Sequence, residues 1–382
     1  MEKKALISIP CLLQGGTEIQ TLNYSKALRS CGIAVEVICY FEHQESIVRE
    51  FEKEGSVVKL LNYSRNLSKA RLLFRLYKEF RNVKPEIVHV QYMAPGALPI
   101  LAARLAGVKT IFATVHQPWT KSHGLISKIV LRIAALFTTK FISVSLIAET
   151  SWFGNASMFI ESIPLKLQSQ HFTIHNAVNV DRINRINNSA NRAFIKRKFN
   201  LSSDTIIIGA ISRLREEKGI NILLEAFSSL TYQNKSVHLI IIGTGPDENK
   251  LKNEALRSHC KDQITFYGIA EWERSMEILS IMDILVVPSR FEGFGLTAAE
   301  AMAAGKPVIA SDSTGLREVV ENHKTGLLFP VGDALALKER IEILLNNHEV
   351  RLNLGVAGKR RVNELFSLEL FTRKVKALYQ IA

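Results

Sequence analysis

Apolar residues along this chain fall into short continuous runs, separated by stretches with helical spacing. In the first half, positions 5–9, 35–40, 87–91, 110–116 and 141–144 are runs of strand length, rich in Val and Ile. Between them, 19–30 and 97–106 carry apolar positions three and four apart, the period of a helix. The second half repeats the scheme. Its expected strands are 205–211, 238–242, 264–266, 284–288 and 307–310, and its expected helices are 219–230, 247–259, 272–281 and 296–304. Runs that are apolar throughout, rather than alternating, point to strands buried on both faces. Strand and helix in alternation point to parallel sheets covered by helices. Two such halves predict an α/β fold of two doubly wound, Rossmann-like domains. The boundary is expected near 176–181, with residues 1–178 in the first domain and 185–365 in the second; the polar stretch 182–200, rich in Asn and Arg, precedes the second sheet.

Composition narrows the class. The 382 residues are enough for two or three domains, and 47% are hydrophobic, ample for their cores. Four cysteines, with no Cys-x-x-Cys pair among them, fit a reducing cytosol and argue against a zinc site or a disulfide framework. The N-terminal apolar run is too short for a signal-peptide core and reads as a first strand. No run of about 18 uncharged apolar residues occurs, so no membrane span is expected. The formal charge of +13 makes nucleic acid and anionic membrane candidate partners. Aromatic-rich RNA and DNA signatures are absent, which sets nucleic acid aside.

The most informative segment runs from Arg290 to Ala310. Glu292 and Glu300 flank a Gly-Phe-Gly turn that opens into a helix. A glycine-flanked helix start presents unpaired N–H groups and the positive end of the helix dipole, which suits a diphosphate. Carboxylates accept hydrogen bonds from sugar hydroxyls. Phosphate and sugar chemistry in one stretch suggest a nucleotide-sugar site. A plainer reading competes with it: Thr297-Ala-Ala-Glu300 is also the pattern of a capping box, which would give Glu300 a structural task.

Other residues stand where loops leave expected strands. Arg213 and Lys218 follow the strand ending at 211, where a planar fork and a point charge can meet a phosphate; Glu216 and Glu217 between them also allow a solvated charged loop. Gly15 and Gly16 sit between the first strand and its helix, where paired glycines permit close backbone approach, with Thr17 as a candidate N-cap. His116 ends a strand and could stabilise charge or donate a hydrogen bond. Gly243-Thr-Gly begins like a dinucleotide fingerprint, but Glu248 occupies the place of the third glycine.

The spacing of Glu292 and Glu300 around Gly-Phe-Gly resembles the retaining family 4 glycosyltransferases of the GT-B fold, in particular those of bacterial surface-polysaccharide assembly. The resemblance covers nearly the whole chain. It implies two Rossmann-like domains facing each other across a cleft, with a last helix, 368–382, crossing back onto the first. It implies catalytic roles for His116, Arg213, Lys218 and Glu292, with Arg213 and Lys218 on the donor diphosphate and His116 facing the donor sugar. It implies donor contacts from Gly15, Gly16, Gly243, Phe294, Gly295, Leu296 and Glu300, with Glu300 on the ribose. Ile269 would line the base pocket, although plain core packing explains it equally well. At 311–318 the family often has two glycines; here Thr314 precedes Gly315, and the loop is given no catalytic role.

No Asp-x-Asp occurs, so no metal and no cofactor are expected, and cations would neutralise the leaving diphosphate. The donor would be a UDP- or GDP-linked sugar and the acceptor a saccharide or polyprenyl-linked saccharide. A GT-B protein that binds nucleotide sugar without transferring it, or an epimerase, is the alternative. Two basic amphipathic stretches, 68–83 and 125–137, suggest peripheral contact with an anionic membrane, on the cytoplasmic side. Because an apolar helix face cannot serve core and lipid at once, that contact is expected to be mainly electrostatic.

Overall fold

The computed structural model describes residues 3–92, 97–230 and 236–380. It divides into two units: unit 1 comprises Met1–Ala177 with Leu368–Ala382, and unit 2 comprises Val178–Ser367.

Unit 1 carries seven strands: β1 (Lys4–Ile9), β2 (Ala34–Cys39), β3 (Val57–Leu60), β4 (Ile87–Tyr92), β5 (Thr110–Val115), β6 (Lys140–Ser143) and β7 (His171–Thr173). They form one sheet in the order β3-β2-β1-β4-β5-β6-β7, and every neighbouring pair is parallel. The central strands are buried apart from the first residue of β1 and of β5, because helices cover both faces. The edge strands escaped the sequence reading. β3 is half exposed along its length and β7 has only three residues, so neither shows a long apolar run.

Unit 2 continues with β8 (Ile206–Ile211), β9 (Val237–Ile242), β10 (Ile264–Gly268), β11 (Ile284–Val287), β12 (Val308–Ser311) and β13 (Leu327–Phe329). Their order is β10-β9-β8-β11-β12-β13, again all parallel. The polar stretch before β8 holds two helices, Val180–Ser189 and Arg192–Lys198, each capped by an Asn side chain. The first of them starts unit 2 a few residues earlier than the expected 185: the Val178 N–H donates to the Phe366 carbonyl at 3.0 Å.

The terminal helix Leu368–Gln380 packs within unit 1 beside the Gly16–Arg29 helix, burying Phe371, Val375, Leu378 and Tyr379. The Tyr379 hydroxyl meets His89 Nδ1 at 2.6 Å in the core. Ile381 and Ala382 of the expected helix lie outside the described residues.

The two basic stretches differ from each other. Helix Lys69–Val83 is capped by Ser68 and turns Leu76 and Phe80 inward. Helix Gly124–Ala135 has apolar residues on both sides: Leu131, Ala134 and Ala135 are buried, whereas Ile126, Ile129 and Ile133 are exposed. One helix therefore presents apolar surface to core and exterior at once, against the expectation of a mainly electrostatic outer face. Among the described residues, no helix is long and apolar enough to cross a membrane.

Candidate functional site

In unit 2 the strand order reverses between β8 and β11. Connections leave these two strands in opposite directions, which opens a crevice at their carboxyl ends, the usual ligand position in open parallel sheets. The loops after β8 and β11 meet there. Gly219 has φ 64°, and a Cβ at that position would stand 2.1 Å from the Pro288 carbonyl oxygen, so the loops can approach only with glycine there. The Arg290 N–H donates to the Glu217 carbonyl at 2.8 Å.

This contact brings Lys218 and Glu292 together. Lys218 Nζ donates to Glu292 Oε1 at 2.6 Å, and the Ser289 hydroxyl donates to the same oxygen at 2.8 Å. Both side chains are mostly covered. The backbone of Glu292 is held by Thr314: its hydroxyl accepts from the Glu292 N–H at 3.1 Å and donates to the Glu292 carbonyl at 2.6 Å. Thr314 thus locks the position of a predicted catalytic carboxylate, although the sequence reading gave its loop no such part. Arg213 is exposed in the same β8 loop, whose next residue ties to the β9 loop by Leu214 N–H to the Thr244 carbonyl at 2.8 Å.

The Gly-Phe-Gly turn divides its work. Phe294 is buried and packs edge-on against Phe366, ring centroids 5.1 Å apart, so its side chain serves the core and only its backbone is left for a donor. Gly295 adopts φ 103° and is the N-cap of the Leu296–Ala303 helix; it has no side chain with which to cap, so the positive helix end is left for an anion. The capping-box reading therefore fails, because Thr297 lies inside the helix. Glu300 instead accepts from Trp272 Nε1 at 2.7 Å. Burial pushes the Glu300 carboxyl up to about 7, against the smaller opposing effect of the indole hydrogen bond.

The remaining unit 2 residues sort clearly. Gly243 is explained by packing, since a Cβ there would lie 1.9 Å from the Ser212 carbonyl oxygen. Ile269 is exposed just beyond β10, which overturns the core-packing alternative. Leu296 is half-buried at the helix start.

Gly15, Gly16 and His116 belong to unit 1. Gly15 is the N-cap of the Gly16–Arg29 helix, displacing Thr17 from that role, and its φ of −169° is extended backbone open to any residue. His116 lies at the carboxyl end of β5. Its Nε2 meets the Gln91 amide oxygen at 2.7 Å, so Nε2 carries the proton. Burial holds the ring down at about 3. A ring held neutral at ordinary pH favours the hydrogen-bonding role over the charged one. His116 Nδ1 and Gln91 Nε2 are buried without a hydrogen-bond partner among the described residues.

Two family models match the chain. The Glycosyltransferase Family 4 model spans residues 14–148, and the model for glycosyl transferases group 1 spans 191–361. The chain belongs to the family 4 glycosyltransferases. This member of the family is 28% identical over 356 residues to a phosphatidyl-myo-inositol mannosyltransferase of Mycobacterium leprae, covering 91% of this chain and 88% of the relative. It is 29% identical over 219 residues to the capsular polysaccharide biosynthesis glycosyltransferase CapM of Staphylococcus aureus. That match spans about half the length of each protein, 54% of this chain and 53% of CapM. Solved structures share the fold over the full chain. A glycosyltransferase from Rickettsia africae superposes with TM-score 0.79 at 22% identity, covering 100% of this chain and 98% of the other. Anabaena HepE in complex with UDP gives TM-score 0.81 at 16% identity, covering 99% of both. The two parallel sheets are those of the GT-B fold.

Ser289, Trp272 and Thr314 are neighbours of the candidate site that the sequence pattern does not mark as such. Ser289 stands three residues before Glu292 and was within reach of local reasoning. Trp272 and Thr314 are brought in only by the fold, from 28 residues before Glu300 and 22 after Glu292.

Proposed function

We propose that this glycosyltransferase moves a sugar from a nucleotide diphosphate sugar to a saccharide or polyprenyl-linked acceptor, with retention of configuration and without a metal ion. The observation that carries the reading is the Lys218–Glu292 pair at 2.6 Å, at the strand ends where the sheet order reverses. In the absence of donor, cation and carboxylate neutralise one another. A bound donor supplies each with a better partner: its diphosphate takes Lys218, and its sugar hydroxyls take Glu292. Arg213 and the uncapped start of the Leu296–Ala303 helix add positive potential for the leaving group.

In this reading the bond from the anomeric carbon to the donor phosphate oxygen breaks, and positive charge spreads over the sugar ring. The acceptor oxygen then bonds to that carbon from the face the phosphate leaves. Its proton passes to the departing phosphate, so no protein nucleophile is required. Glu300 receives the ribose hydroxyls beside Trp272. The acceptor is met at a peripheral contact with an anionic membrane. The relatives that support surface-glycan or lipid acceptors are CapM and the mannosyltransferase named above.

The test is a panel of UDP- and GDP-linked sugars with saccharide acceptors, scored by nucleoside diphosphate release and by the product's anomeric configuration. Lys218→Ala and Glu292→Ala are each expected to lower turnover at least about a hundredfold, the size expected for losing a transition-state contact. Donor binding without release of nucleoside diphosphate would refute transfer and favour a binding or epimerising protein. Full turnover in either variant would refute the site.

A further inference from the structure

We propose that the Gly124–Ala135 helix is the surface by which this chain sits on an anionic bilayer, with its outward apolar row immersed at the boundary between headgroups and acyl chains. The proposal rests on the membrane contact in the reading above and names the residues that make it.

The helix turns Leu131, Ala134 and Ala135 toward its own unit. On its other side Leu125, Ile126, Ile129, Val130, Ile133 and Leu136 are exposed, Ile126 to 78% and Leu136 to 75%. Exposed aliphatics are ordinarily scattered singly; here they recur at helical spacing along every turn of one element. Core packing does not account for this row, because the core is already served by the opposite side.

The charge around it has one sign. From Ile87 to Ala148 the chain contains no Asp and no Glu. Lys128 and Arg132 stand one turn apart on the helix, and Lys121 lies in the turn before it. Arg132 is braced by its Nε donating to the Trp152 carbonyl at 2.7 Å. At the start of the helix, Trp119 Nε1 donates to the Gly124 carbonyl at 3.1 Å, and Lys128 Nζ lies 4.7 Å from the centre of the indole. An indole with a cation on its face suits the headgroup layer, where one side is wet and the other apolar. The neighbouring helix Ala97–Leu105 packs beside it and adds Arg104, and Lys109 follows.

These features select lipid over a second copy of the chain. A symmetric pair formed through this face would bring Lys128 and Arg132 toward their own equivalents, and the surrounding segment from Ile87 to Ala148 has no carboxylate to pair them. Anionic lipid offers phosphate to the cations and hydrocarbon to the isoleucines. A helix of 12 residues is about 18 Å long, which suits lying in the interface and not spanning it.

The experiment is flotation of the full chain with vesicles of phosphatidylcholine, with and without phosphatidylglycerol. Binding is expected to rise with phosphatidylglycerol and to fall with salt. The double variant Ile126→Asp with Ile133→Asp is expected to bind about tenfold more weakly or worse, because both charges enter the immersed row. Both positions are exposed, so its thermal transition should match the parent's. A polarity-sensitive dye on Ile129→Cys should shift to the blue on binding. Equal binding to both vesicle types, or full binding by the double variant, overturns the proposal. So does a parent dimer that the double variant abolishes, since the face would then be an interface between copies. Nucleoside diphosphate release with a soluble acceptor should be unchanged in the double variant. Vesicle binding by a parent that releases no nucleoside diphosphate upholds this surface and defeats the transferase reading instead.

Discussion

Glu300→Gln should abolish a pH dependence that the wild-type fold carries. The Glu300 carboxyl is buried, and its value rises from 4.5 to about 7. Below about pH 4.5 the group is protonated in both folded and unfolded states, and the shift has no effect on stability. Between 4.5 and about 7 the unfolded chain releases the proton first, so stability falls as pH rises; above about 7 the penalty is constant. At about 1.36 kcal/mol for each pH unit between those two values, the full penalty is roughly 3 kcal/mol. Gln has the same shape, keeps an oxygen for Trp272 Nε1 and carries no charge, so the variant should lose the penalty while keeping the contact. Urea denaturation of both proteins from pH 4 to 8 measures this directly. The variant should gain relative stability as pH rises and then level off near neutrality. Fluorescence offers a second reading, because the indole of Trp272 touches the titrating group; the parent signal should change with a midpoint near 7 and the variant's should not. Parallel stability curves, with a fluorescence midpoint near 4.5, would refute the burial argument.

Thr314 and His116 carry three further predictions. Thr314→Ala removes both hydrogen bonds to the Glu292 backbone and should lower turnover about tenfold, whereas Thr314→Ser keeps the hydroxyl and should restore most of it; equal rates for the two variants would remove Thr314 from the site. His116 is held down at about 3, so the parent's kcat/KM should show no inflection near 6.5 that disappears in His116→Gln, and a pH–rate series on both proteins checks this. The same burial predicts that the parent loses stability relative to His116→Gln as pH drops from 6.5 toward 3, since the unfolded imidazole takes up its proton first; a parent-minus-variant difference flat through that window would contradict it, and taking the difference sets aside the opposite trend from Glu300 and the like trends from His89 and His238.

The sequence by itself determined the class of the fold. Buried parallel strands are apolar on both faces, and that demand is written locally in runs such as β9 and β11, as is the helical period between them. It also offered Lys218 and Glu292 as candidates, through their place after expected strands together with the resemblance to family 4 glycosyltransferases, and the fold brings the two side chains together. The edge strands β3 and β7 were illegible, the first because half-exposed residues alternate along it and the second because three residues make no run. Only the tertiary structure decided what depends on distant partners. It set Thr314 behind Glu292 and Trp272 beside Glu300, and it buried the Phe294 ring against Phe366. It also decided which side of the Gly124–Ala135 helix remains outside. A hydrophobic pattern records that residues avoid water, and burial against a particular neighbour is settled only when the chain has folded.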